Sequence, residues 1–144
     1  MSFATLTQIA VSFVWAGMVA ALSFVETPLK FRAPGMTEAL GVAVGRVVFA
    51  AMNRIEIGLA LIIVATLVFT KRDVTKYGLF AAITATVLVE TIWLLPALDA
   101  RARALLSGNR PDPSFHHTLF VIAEIVKVVM LIAFGLITAR RAGA

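Results

Sequence analysis

A chain of 144 residues that is 60% hydrophobic and 15% charged, with a mean hydropathy of +0.96, is not a soluble domain, since soluble domains carry roughly 45–50% apolar and about 25% charged residues. Its formal charge of +5 would point to nucleic acid in a soluble protein, but here the cations flank apolar blocks, where Lys and Arg anchor and orient membrane helices. Without cysteine there are no disulfides, thiolate metal sites or cysteine nucleophiles.

Four apolar blocks reach the roughly 20 residues needed to cross a hydrocarbon core of about 30 Å. The first predicts a helix over 4–27. No Lys or Arg precedes it and it is too long for a signal-peptide core, so it reads as a retained helix. Pro28 biases Thr27 towards extended backbone and should end it. The breakers that follow, with Lys30 and Arg32, read as an interfacial loop. A second helix over 38–70, capped by Thr37, is longer than one span needs, so it tilts or lies partly at the interface. The polar turn from Lys71 to Lys76 sends a third helix back over 77–98, with Pro96 predicting a kink or stop. Residues 99–106 then extend the helix along the surface, 107–111 turn, and Asp112 with Pro113 reads as a cap and first-turn proline. They open a fourth helix over 114–139, which stops at Arg140 and Arg141.

The sequence thus predicts an all-α membrane protein, an antiparallel up-and-down four-transmembrane-helix bundle forming a single domain over 1–144. Gly41 with Gly45, and Gly17 with Ala21, have the four-residue spacing that lets membrane helices approach closely. Four spans put both termini on one side, with Lys71, Arg72, Lys76, Arg140 and Arg141. Lys30, Arg32, Arg101, Arg103 and Arg110 lie opposite, so the cations balance. The tight turn and short tail of the first set assign that side to the cytoplasm of a bacterial inner membrane.

Each helix carries one glutamate within its apolar block, the second block running over 40–70: Glu26, Glu56, Glu90 and Glu124. The second adds Arg46, Asn53 and Arg54, the fourth adds Lys127, and His116 and His117 open the fourth. A charge at the bilayer centre costs about 2.5–3.5 kcal/mol on the lenient insertion scale, so such groups pair, face the interior, or work. Counted along the helices, Glu26 and His117 fall near the surface of the long loops. Glu90 and Glu124 fall roughly 12–14 Å inside, and Asn53, Arg54, Glu56 and Lys127 near the midplane. The half beside the 71–76 turn reads as almost purely apolar. At about 100° per residue, Arg46 and Asn53 share a face, as do His117 and Glu124, and Gln8, Ser12, Trp15, Ser23 and Glu26 form one stripe.

Two readings follow. In one, Glu56 with Lys127 and Glu90 with Arg54 are buried ion pairs that fix helix register. In the other, Glu26, Arg46, Asn53, Arg54, Glu56, Glu90, His117, Glu124 and Lys127 line a polar cavity open on one side, which binds or moves a small solute, an ion or protons. The second is preferred, because a bundle this small can pack with far fewer charges. Metal sites are discounted. A di-iron bundle needs Glu-x-x-His pairs that do not occur, and Arg54 and Lys127 would repel a hard cation held by carboxylates. Bis-histidine haem lacks a second histidine on a facing helix. No hydrolytic triad is evident, so the reading is non-enzymatic. The alternatives are a membrane-embedded enzyme or redox subunit acting on a quinone or isoprenoid, and an accessory subunit of a larger complex. The partners expected are the lipid bilayer, a small solute or ion, and another copy or a partner membrane subunit, but no nucleic acid. The cofactor is unknown.

Three stretches carry a resemblance: 24–31, with Glu26, Pro28 and Lys30; 45–49, with Arg46; and His117 with Phe120, Glu124 and Lys127. Together they resemble small bacterial four-helix membrane proteins classed under domains of unknown function, themselves distantly similar to a eukaryotic transmembrane family associated with drug resistance. The resemblance implies a four-helix membrane fold. It brings no reaction, ligand or functional residue with it.

Overall fold

The computed structural model describes residues 1–109 and 114–143. Four helices, α1 (Phe3–Lys30), α2 (Glu38–Leu67), α3 (Val74–Leu106) and α4 (His116–Ala142), are each long and apolar enough to cross a membrane. They run antiparallel in a ring, α1 against α2 and α4, and α3 against α2 and α4. The polarity is inside out. Leu61, Val64, Ile92 and Val129 face outward while Glu56, Glu90, Glu124 and Lys127 are buried, as expected where the surrounding solvent is hydrocarbon. The chain is an integral membrane protein with an all-α four-helix fold.

Local chemistry sets most helix starts. Ser2, Thr37 and Asp73 cap α1, α2 and α3, their side-chain oxygens accepting from the backbone N–H of Thr5, Leu40 and Lys76, which satisfies donors the first turn leaves open. Arg110, Pro111, Asp112 and Pro113, including the expected cap of the fourth helix, lie outside the described residues.

Two expected stops are not stops. Thr27 is helical, and α1 continues through a π-helical stretch, Ala20–Glu26, into the turn Thr27–Lys30. Likewise α3 passes through π-helical Glu90–Leu94 and runs on to Leu106. In both, the wide segment lies just ahead of the proline. The Thr27 N–H donates to the Leu22 carbonyl and the Leu95 N–H to that of Glu90, each five residues back. Proline removes a donor and crowds the carbonyl four residues earlier, and a looser turn there relieves the clash without ending the helix. Consequently α3 is longer than the span predicted over 77–98. Glu90 moves to the middle of its helix, and Asp99, Arg101 and Arg103 ride on its last turns, in keeping with the expected extension over 99–106.

The close seam between α1 and α4 lies at a glycine that the spacing did not single out. A Cβ on Gly135 would lie 2.7 Å from Ser12 Oγ and 2.8 Å from the Phe13 ring, so Gly135 is what lets α4 lie against α1. Gly17 faces open space, whereas Gly41 and Gly45 make room for Phe31 and the Lys30 ammonium at the end of α1.

At the terminal end, Asp73 pairs with Arg141, and Lys76 donates to Gln8 Oε1 at 2.7 Å. Gln8 Nε2 in turn donates to Thr70 Oγ1 at 3.3 Å. These contacts bring both ends of the chain to the α2–α3 turn. They also correct the reading of that half as apolar and of Lys76 as a surface cation: Lys76 is buried, because Gln8 offers it an acceptor one turn inside the helix.

Candidate functional site

The polar residues divide between a sealed cluster and an open cavity. At the middle of the bundle the Lys127 ammonium lies 2.6 Å from Glu56 Oε1, 2.5 Å from Glu90 Oε2 and 2.6 Å from Glu124 Oε1. All four side chains are essentially inaccessible. Trp15 Nε1 donates to Glu56 Oε1 at 2.8 Å, and Ser23 Oγ donates to Glu124 Oε2 at 2.5 Å. Every helix therefore contributes. The three carboxylate groups lie close enough together to hold an ion, but the ammonium at their centre is itself the cation they surround. Glu90 Oε1 is buried without a hydrogen-bond partner among the described residues.

Apolar layers close the cluster on both sides. Towards the loop side, one turn away on each helix, stand Met52, Leu94 and Phe120. Towards the termini stand Ala60, Val87 and Leu131, within a core that also holds Trp15, Val19 and Phe134. In such surroundings charges interact strongly, but they are expensive to bury unless every partner is in place.

The cavity, of about 1000 Å³, opens between α2, α3 and the end of α1 on the loop side. Of the residues expected to line one pocket, it contains Arg46, Asn53, Arg54 and His117. Glu56, Glu90, Glu124 and Lys127 are not in its wall. Glu26 stands apart from both groups, half-buried, with the Lys30 ammonium 3.5 Å from Oε2. The division has a helical cause. Arg54 and Glu56 are about 200° apart around α2, so if one faces the core the other faces the cavity. On α1, the π-helical stretch Ala20–Glu26 shifts Glu26 out of the stripe expected to run from Gln8 through Trp15 and Ser23.

Asp99, at the end of α3, receives Arg46 Nε at 2.6 Å and Arg103 at 2.7 Å. The Thr91 hydroxyl donates to Asn53 Oδ1 at 2.9 Å at the inner end of the cavity. Arg54 is exposed there, and no acid lies within salt-bridge distance among the described residues. The expected Glu90–Arg54 pair does not form, since Lys127 takes Glu90. Keeping such a cation at mid-span has a cost of about 2.5–3.5 kcal/mol.

Sequence reasoning missed several participants. Trp15 reads as packing, though its place in the Gln8–Ser12 stripe signals a buried face, and all three are buried. Lys30, Arg101 and Arg103 read as orientation cations, yet all line the cavity. Only the continuation of α1 and α3 beyond their prolines brings them there.

No curated protein and no solved structure matches the chain. Residues 10–104 match the family described as domain of unknown function DUF4149. That stretch takes in the first three helices almost whole, with Trp15, Glu56, Glu90 and most of the cavity wall, and by it the chain belongs to the DUF4149 family.

Proposed function

We propose that this membrane protein binds a small solute in the one-sided cavity and moves it, or an ion or proton with it, against the sealed cluster below. One observation carries the reading: the cavity reaches inward to Asn53 and Thr91, and Thr91 is the chain neighbour of Glu90, whose second oxygen has no partner. A solute at that inner end sits next to the helix turn that holds the cluster. The cavity wall (Arg46, Asn53, Arg54, His117) supplies the contacts. Glu56, Glu90, Glu124 and Lys127 supply a charge centre that responds to them. Glu26 steadies Lys30 at the mouth.

The same proposal takes residues 1–144 as one domain in a bacterial inner membrane, both termini cytoplasmic, so that the cavity opens on the far face. The test is to fill the cavity. Ala50 lies in its wall, and Ala50→Trp places a bulky ring there without touching the cluster. Screened by ligand-induced thermal stabilisation, a panel of small solutes should contain at least one that raises the melting temperature of the parent chain and not of Ala50→Trp. A panel spanning anions, cations and neutral amphiphiles that stabilises neither would sink the reading.

A further inference from the structure

The walls of the cavity specify the chemistry of its occupant, given the reading of the cavity as a binding site, on which this step rests. Among the described residues, five basic side chains line it against two acids, Glu38 and Asp99. Asp99 is already engaged by Arg46 and Arg103. Glu38 is exposed in the first turn of α2, at the mouth. Neither acid answers Arg54, which lies about 24 Å along α2 from Glu38 at about 1.5 Å per residue, roughly halfway down the span. Beside it, the Asn53 amide has its oxygen occupied by Thr91, which leaves its NH₂ group to donate. The inner end therefore offers donors and positive charge in surroundings that are otherwise Phe49, Ala50 and Leu95.

We propose that the cavity is a site for an amphiphilic anion, a phosphate or carboxylate on an apolar body, with its charged group on Arg54 and the Asn53 amide. Arginine suits this role, because its planar fork donates two parallel hydrogen bonds to such oxygens. The apolar body lies along Phe49, Ala50 and Leu95. An occupant of this kind resolves the cost of Arg54, since the counter-charge that the described residues do not supply arrives with the ligand. Two sources share the chemistry: the headgroup of an anionic phospholipid entering from the bilayer, and a free single-chain organic anion entering from the aqueous mouth.

Binding to the detergent-purified, delipidated full chain distinguishes them. Three probes are needed: dioleoylphosphatidylglycerol, dodecyl phosphate and the neutral 1-dodecylglycerol. Both anions, or one of them, should bind at least tenfold more tightly than the neutral probe. Arg54→Gln should lose that preference, Arg54→Lys should recover part of it, and Arg72→Gln, at the opposite end of the bundle, should leave it unchanged. Tighter binding of the phospholipid assigns a lipid source, and tighter binding of dodecyl phosphate a soluble one. Equal affinity for the neutral probe, or full anion affinity in Arg54→Gln, overturns the anion assignment while leaving the cavity reading in place. If none of the three binds while another solute stabilises the parent chain and not Ala50→Trp, the anion assignment fails alone. If no solute does so, both fail together.

Discussion

Arg54 and Glu56 lie two residues apart on α2, and Thr91 and Glu90 are neighbours on α3, yet each pair is split between different environments. Glu56 and Glu90 belong to a closed centre where three carboxylates share one ammonium and two neutral donors. Arg54 and Thr91 belong to an open cavity where, among the described residues, cations outnumber acids. The lesson is that a charge within a membrane span is explained by the face it occupies as much as by its depth. The cluster gathers its acids around one ammonium inside the bundle, and the cavity leaves Arg54 without an acid among the described residues. The first is internal to the fold, and the second is where we propose that a ligand binds.

The largest effect expected from this contrast is at Lys127. Replacing it with Met removes the cation common to Glu56, Glu90 and Glu124 and leaves buried carboxylates opposed to one another. Breaking a buried ionic unit in this way costs about 3–5 kcal/mol, so Lys127→Met should melt far below the parent in detergent, or fail to accumulate. Removing one acid with it does not repair the damage. In Glu56→Gln/Lys127→Met, Glu90 and Glu124 still lack a counter-charge. Only the fourfold replacement, with Gln at all three acids, is expected to return near the parent melting temperature. Parent-like melting of Lys127→Met alone would break the comparison, since the cluster would then not be ionic in its working state.

How much of this was legible beforehand follows the same division. Block length and hydropathy suffice for four spans, because bilayer thickness sets helix length. Charge cost suffices to pair Lys127 with the glutamates, and all three contacts form. Counting depth from a helix end at Leu98 puts Glu90 nearer one surface, whereas α3 runs on to Leu106. Those counts assumed ideal α-helix, whereas π-helical turns ahead of Pro28 and Pro96 lengthen α1 and α3 and shift their register. Neither turn has a local signature beyond the proline itself. Lys76 escaped for a different reason: its partner, Gln8, is 68 residues away, and no periodicity within one helix reveals it. The separation of cluster from cavity needed the rotation of all four helices together.

A middle-sized effect is expected at the rim of the cluster. Trp15→Phe keeps the aromatic volume but removes the N–H that Glu56 Oε1 accepts at 2.8 Å. Leaving a buried acceptor short of a donor costs about 1–3 kcal/mol, and more where it is charged. Ser23→Ala, which takes the hydroxyl from Glu124 Oε2, should fall in the same range. The two losses should not add independently, because both act on acids held by Lys127. A double mutant whose melting shift equals the sum of the singles within error would show that the cluster is a set of separate contacts.

The smallest stability effect is expected at Arg54, and there the comparison is sharpest. The side chain is exposed and engages no acid among the described residues, so Arg54→Gln strands nothing. Surface changes away from such networks usually stay within about 0.5 kcal/mol, and relief of a mid-span charge works towards stability. On delipidated protein, Arg54→Gln should therefore melt with the parent or slightly above it. Protein purified with its native lipids should behave differently if an anion accompanies the cavity, since a bound ligand stabilises by RT ln(1 + [L]/Kd). A ligand at a hundred times its Kd adds about 2.7 kcal/mol, which Arg54→Gln forgoes. The parent should then melt higher before delipidation than after, and the variant should not change. A large loss of stability in delipidated Arg54→Gln would contradict this, because it would place Arg54 within the same ionic unit as Lys127 and erase the boundary between cluster and cavity.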